Sequence, residues 1–302
     1  MTDHAKTTAP TLKDVEEALR GQPHRWLDVG HCELASWSFG QGPDLLFVHG
    51  WPLTAATFRE HIPHLADAFT CHLIDLPGIG KTRWDKKRTQ FGVEGHISAV
   101  VGAIEALNLE KVALVAHDSG ATITRVVASR LPEKVTALVM GDTELPGHHV
   151  TTFEMLQKAL SMPGASTAMR AAWRSERLLR SKYGFASCFV NKDLIMGDFH
   201  RWFVAPLTQN ARAMDGQLHF VRGADWSILD RLPQIHAQIA APVLMIWGER
   251  DRFFPLSGAR KMIDQFPAGA TLEVIPEGRL FVHEEHPERF VQLTRDFLLE
   301  HT

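Results

Sequence analysis

The run Val112-Ala113-Leu114-Val115-Ala116 is apolar throughout, stops at His117-Asp118-Ser119, and gives way to Gly120-Ala121. A strand that turns directly into a helix holds the residue at the turn in a strained backbone conformation. The positions two before and two after that residue must be small, because neighbouring backbone crowds them. Ala116 and Gly120 meet this demand when the turn is centred on Asp118. Centring it on Ser119 would put the bulky His117 in the crowded place. The segment therefore reads as a nucleophile elbow whose reactive group is a carboxylate.

The rest of the chain supplies the sheet that such a turn needs. Short apolar runs at 45–48, 71–74, 112–115, 137–140 and 243–247 are separated by segments of helical spacing, among them 58–68 and 97–107. Continuous apolar strands of this length suit a sheet covered on both faces, so the fold class expected is α/β, mostly parallel, flanked by helices. Upstream, a short helix at 12–19 and alternating patches at 26–29 and 33–39 suggest an edge hairpin. Strand character stops after Met140. From 146 to 226 the spacing is helical and rich in aromatics, including Phe153, Trp173, Tyr183, Phe199 and Trp226. That stretch is read as a helical cap or lid (146–226) inserted into a core formed by 1–145 and 227–302. Pro242 marks the point where the core strands resume.

Composition narrows the function classes. The chain has 302 residues, 45% of them apolar, and a net charge of −3. That is enough for a sizeable core, and there is no basic stripe to engage nucleic acid or an anionic membrane. Three widely spaced cysteines, Cys32, Cys71 and Cys188, argue against a disulfide framework or zinc site and fit a reducing compartment. The polar start Met1-Thr2-Asp3-His4-Ala5-Lys6 lacks an apolar signal core, and no run of about 18 apolar residues occurs. The expectation is a cytoplasmic chain with a small-molecule substrate, no nucleic-acid or membrane partner, no cofactor and no metal, compatible with a homodimer.

The chemistry-bearing segments all follow strands. His49-Gly50-Trp51-Pro52 follows 45–48, where its Trp51 N–H can stand beside that of Ser119 as a pair of oxyanion donors. Gly248-Glu249-Arg250-Asp251 follows 243–247, and Asp251 is the natural acid to orient a catalytic base. Asp142 and Glu144, just past the strand ending at Met140, offer a second acid position. Gly78-Ile79-Gly80-Lys81-Thr82 looks like the end of a phosphate-binding loop, but Asp75 stands where its first glycine belongs. Seventeen histidines form no paired metal-ligand spacing on a helix. His61 and His64, flanking Pro63, read as surface residues.

Taken together, strand-His49-Gly50-Trp51-Pro52, Asp75-Leu76-Pro77-Gly78, the Asp118 elbow, Gly248-Glu249-Arg250-Asp251 and the C-terminal His283-Glu284-Glu285-His286-Pro287 resemble the α/β-hydrolase fold family over nearly the whole chain. The Asp at the elbow resembles the branch of haloalkane dehalogenases, haloacetate dehalogenases and epoxide hydrolases. The resemblance implies attack by Asp118 on an electrophilic carbon, an alkyl-enzyme ester, and its hydrolysis by a His-activated water.

The chain departs from each member of that branch. Ser119 and Trp51 stand where haloalkane dehalogenases usually place Trp and Asn as halide donors. Ser119 and Thr122 replace the two arginines of haloacetate dehalogenases. Tyr183 is the only tyrosine, where epoxide hydrolases mostly use two, so a pair would need His148, His149 or His200. Most consequentially, Arg279-Leu280-Phe281 falls where the family has its Gly-His-Phe run, so Leu280 occupies the base position. Leucine accepts no proton. His283, His117 or a cap histidine would have to serve as base, although His283 also reads as a surface residue at a helix start.

The expected catalytic set is Asp118, Asp251 and His283, with His49, Trp51, Ser119, His117, Tyr183 and Leu280 around the substrate. The function expected is hydrolysis of a small, largely apolar alkyl halide or epoxide. The alternative is a non-hydrolytic protein of the same fold, either a ligand-binding protein or a cofactor-free lyase, isomerase or cyclase.

Overall fold

A computed structural model describes residues 9–302. The polar N-terminal residues read above lie outside the described part. Eight strands form one sheet in the order β1-β2-β4-β3-β5-β6-β7-β8. They are β1 (Arg25–Asp28), β2 (Glu33–Gly40), β3 (Asp44–Val48), β4 (Thr70–Ile74), β5 (Val112–His117), β6 (Val135–Gly141), β7 (Val243–Gly248) and β8 (Ala270–Ile275). The hairpin β1-β2 is antiparallel and joins the sheet antiparallel to β4, while the strands from β4 through β8 run parallel.

Burial explains the pattern. Every residue of β5 and β7 is buried, as the uniformly apolar runs require of strands covered on both faces. The helices Val93–Ala106 and Ser119–Arg130 pack on one another, and Pro287–His301 packs on β6 and β7. β8 is the strand that the sequence pattern did not reveal. It alternates apolar and polar residues (Thr271, Glu273) at the sheet's edge and is largely half-buried, so it lacks the continuous apolar signature.

The helix expected over 58–68 is broken up. A 3-10 turn, Ala55–Phe58, and a one-turn helix, Ile62–Leu65, take its place, with Pro63 in that helix's first turn. His61 precedes that turn and is buried, contrary to the surface reading, whereas its neighbour His64 is exposed. Buried also is His283, in the short helix Val282–Glu285.

Between β6 and β7 the chain is helical. The segments Thr151–Leu160, Ala165–Ala172 and Ala211–Arg222 pack on one another, and Ile228–His236 returns to pack on Ser119–Arg130. The sheet order reverses beside β3, since β4 lies on one side of it and β5 on the other. Ligand sites in such sheets form where the order reverses, outside the carboxyl ends of the strands. The residues after β3, β5, β6 and β7 meet there. Among the described residues no helix is long and apolar enough to cross a membrane.

Candidate active site

Asp118 follows β5 and immediately precedes the helix Ser119–Arg130, with φ 53° and ψ −137°, a left-handed conformation costly for a non-glycine residue. Two small neighbours permit it. A Cβ on Gly120 would collide with the Val48 and His49 carbonyl oxygens, and one on Gly50 would lie 2.5 Å from Asp118 Cβ and Oδ1. The Asp118 N–H donates to the Asp142 carbonyl, tying the elbow to the end of β6.

The Asp118 carboxylate is asymmetric. Oδ1 accepts the Trp51 backbone N–H (3.0 Å) and the Ser119 hydroxyl (2.9 Å). Oδ2 has no donor among the described residues and faces a cavity of about 810 Å³. Burial, and after it the negative charge of Glu144, push its pKa up to about 7 against the pull of these donors.

Glu144 lines the same cavity. Its Oε2 accepts the Thr122 hydroxyl at 2.6 Å and lies 2.9 Å from the Thr143 hydroxyl, which is also 2.9 Å from the Asp118 carbonyl. Behind both hydroxyls sits the fully buried Arg125, whose Nη2 donates to Thr122 (2.6 Å), Thr143 (3.0 Å) and the Glu144 carbonyl (3.0 Å). The cavity walls are otherwise mainly apolar, with Trp51, Trp173, Phe185, Phe220 and Leu280 among them.

The other residues singled out by sequence fall into two groups. Trp51, Ser119, Leu280 and Tyr183 line the cavity, Tyr183 at 80% exposure. His49, His117, His283 and Asp251 do not. His49 is held below it, with Nδ1 toward the Gly50 carbonyl and Nε2 accepting the Leu76 N–H. His117 Nε2 donates to the Leu280 carbonyl at 2.6 Å. His283 Nε2 pairs with Thr57 at 2.7 Å, and its ring centre lies 4.0 Å from that of His117, the two rings tilted by 42°. Burial depresses both imidazoles, His117 to about 4 and His283 well below the ordinary range, the latter also by the neighbouring His117, His61 and Arg59. Among the histidines that the sequence proposed between β6 and β7, His148 Nε2 donates to the Phe253 carbonyl, and His149 lies exposed between Glu154 and Asp230. Neither lines the cavity, nor does His200.

Asp251 faces Asp142, the two positions from which an acid could support a base. Asp142 Oδ1 accepts the Gly248 N–H, and Asp251 Oδ1 accepts the Phe253 and Phe254 N–H groups. The remaining oxygen of each is buried and has no hydrogen-bond donor among the described residues. Burial and then the Asp251 charge raise Asp142 well above the carboxylate range, while burial brings Asp251 to about 6. Among the described residues no imidazole bonds to either carboxyl.

Sequence reasoning missed the support of Glu144, although a signal was present. Arg125 is the one charged residue between Ser119 and Ala128, in a helix otherwise buried, and Thr122 is one turn before it. Also unforeseen were two cavity residues, Cys188 and His96. Burial pushes the Cys188 thiol well up, aided by Asp251 and Asp118, and depresses His96 to about 3. Among the described residues no three metal-ligating side chains gather.

This sheet, the elbow after β5 and the donor loop after β3 define an α/β-hydrolase. The family described as alpha/beta hydrolase fold matches residues 43–287, and the chain belongs to it. Haloalkane dehalogenase 2 of Mycobacterium tuberculosis is 25% identical over 278 residues, covering 88% of this chain and 91% of that protein. Two solved structures share the fold. A meta-cleavage product hydrolase from Pseudomonas fluorescens superposes with a TM-score of 0.75 at 19% identity over 92% of this chain and 98% of its own. A laboratory-evolved potato epoxide hydrolase gives 0.72 at 23% identity over 93% and 100%.

Proposed function

We propose that this α/β-hydrolase acts on a small, largely apolar alkyl halide or epoxide, with Asp118 as the attacking group. One observation carries the reading: Oδ1 of Asp118 is pinned by the Trp51 and Ser119 donors while Oδ2 is free toward an apolar cavity. A carboxylate held so presents one lone pair to carbon and keeps its other oxygen where a later oxyanion would be stabilised. The apolar walls limit hydration of the anion and favour displacement at a neutral carbon. Ser119 lacks a histidine partner and donates to Asp118, so it supports the carboxylate. The helices between β6 and β7 serve as the lid of this cavity, and the haloalkane dehalogenase relative points the same way.

Leu280 favours a second reading. With leucine at the family's base position and Asp142 paired to Asp251, the site can also be that of a binding protein or a cofactor-free lyase, isomerase or cyclase. Incubation with a panel of haloalkanes, haloacids and epoxides, followed by product analysis and intact-protein mass, separates the two. The hydrolase reading expects alcohol or diol product, or a mass increase located on Asp118. Neither product nor adduct with any electrophile would sink it.

A further inference from the structure

Glu144 is the second carboxylate in the cavity, and the attack at carbon makes no use of it. Its Oε2 is engaged by the Thr122 and Thr143 hydroxyls, whereas Oε1 has no partner among the described residues and is left free on the cavity side, as Asp118 Oδ2 is. The buried Arg125 guanidinium, relayed through those two hydroxyls, sets the orientation of this side chain. The Thr143 hydroxyl, within 2.9 Å of both the Asp118 carbonyl and Glu144 Oε2, places the second carboxylate beside the elbow.

The other proton acceptors are unsuited. His49, His117 and His283 are engaged outside the cavity lining. His96 lines it, but its ring nitrogens are buried away from the open space. Tyr183, Lys182, Asp225 and Arg252 lie exposed at the rim.

We infer that Glu144 is the base that activates water for hydrolysis of the ester, the role that Leu280 cannot fill; this rests on the ester reading of Asp118. In the first step Asp118 Oδ2 forms a C–O bond as the carbon–halogen bond breaks and halide leaves with the electron pair. For an epoxide the C–O ring bond breaks instead, and the alkoxide takes a proton from solvent. In the second, Glu144 Oε1 takes a proton from water as the water oxygen bonds to the Asp118 carboxyl carbon. The tetrahedral oxyanion is held by the Trp51 N–H and the Ser119 hydroxyl. Its collapse breaks the bond from that carbon to the alkyl oxygen, and the departing alkoxide recovers the proton from Glu144. Asp118 is released as the acid and gives its proton to solvent.

The test compares wild type with Glu144→Gln using 1-bromohexane and styrene oxide, following product release and the mass of the Asp118 peptide. Wild type should turn over without a lasting adduct. Glu144→Gln should alkylate Asp118 within a few-fold of the wild-type rate, accumulate one adduct per chain, and hydrolyse it at least ~100-fold more slowly, the usual contribution of a general base. Its alkylation should also persist to lower pH, because the charge that raises Asp118 is gone.

A lasting adduct in wild type, or unchanged hydrolysis in Glu144→Gln, overturns the assignment and leaves the ester standing. No product and no adduct in wild type overturns the ester reading and this one with it. Should Glu144→Gln fail to fold, Thr122→Val decides. Hydrolysis slowed more than alkylation supports Glu144, and equal loss in both steps, or none, refutes it.

Discussion

Asp118 depends on donors that a single substitution can sort. Asp118→Ala removes the attacking atom, and kcat/KM for a responsive electrophile should fall by at least ~10⁴, the scale of losing a nucleophile. Ser119→Ala removes one hydroxyl from Oδ1 while the Trp51 N–H stays, so the loss should be about ten- to hundred-fold, as for one hydrogen bond to a charged group. A larger loss from Ser119→Ala would move the nucleophile to the serine. Leu280 lines the cavity, so Leu280→His would place an imidazole where the family has one. Added to Glu144→Gln, it should restore hydrolysis of the trapped ester at least ten-fold, read as disappearance of the Asp118 adduct. At this scale the sequence was most legible. The small residues flanking Asp118 follow from backbone crowding, which is local, whereas the isolation of His283 from the cavity depends on Thr57, 226 positions away.

At the scale of elements, the ends of β6 and β7 bring together two buried carboxyls, Asp142 and Asp251. The folded value of Asp251, about 6, lies above the ordinary carboxylate range, so the native state holds the proton more tightly than the unfolded chain. The stability this contributes is complete below about pH 4 and is lost as pH rises through about 6. Asp251→Asn keeps a donor toward Asp142 and removes that titration. Urea midpoints at pH 5 and 7.5 should therefore differ in the direction of better relative stability for the variant at pH 7.5. An unchanged difference would show that Asp251 takes up no extra proton on folding. The elbow's own constraint is tested by Gly120→Ala, whose methyl must displace the end of β3. A cost of about 1–3 kcal/mol in unfolding free energy is expected, as for overpacking a filled site.

At the scale of the whole molecule, six buried imidazoles among the described residues are held neutral: His49, His61, His96, His117, His236 and His283. Burial is the leading cause in each. Folded values below the unfolded one make their contribution to stability present above about pH 6.5 and lost as pH falls toward 4. The chain should therefore unfold in mild acid. His61 offers the clean check, since neither ring nitrogen has a partner among the described residues and the ring lies among Phe58 and Phe290. For His61→Phe, the loss of unfolding free energy between pH 7 and pH 5 should be smaller than in wild type by about 1–2 kcal/mol. Equal losses in the two proteins would mean that His61 takes up no proton on unfolding.

The sequence by itself determined the class of fold and the elbow. Continuous apolar runs can be satisfied only by strands covered on both faces, and the small residues at 116 and 120 are demanded by a turn that no longer-range contact can relax. It also placed Leu280 where the family keeps its base. Only the tertiary structure decided which polar residues meet. Glu144, read from sequence as one of two spare acids, faces the cavity because Thr122 and Arg125 of the elbow helix reach across to the end of β6. Asp251, read as the acid for a base, turns to Asp142 instead. Such pairings are fixed by how the strands' carboxyl ends are brought together in space, and a one-dimensional pattern carries neighbours along the chain but not neighbours across a sheet.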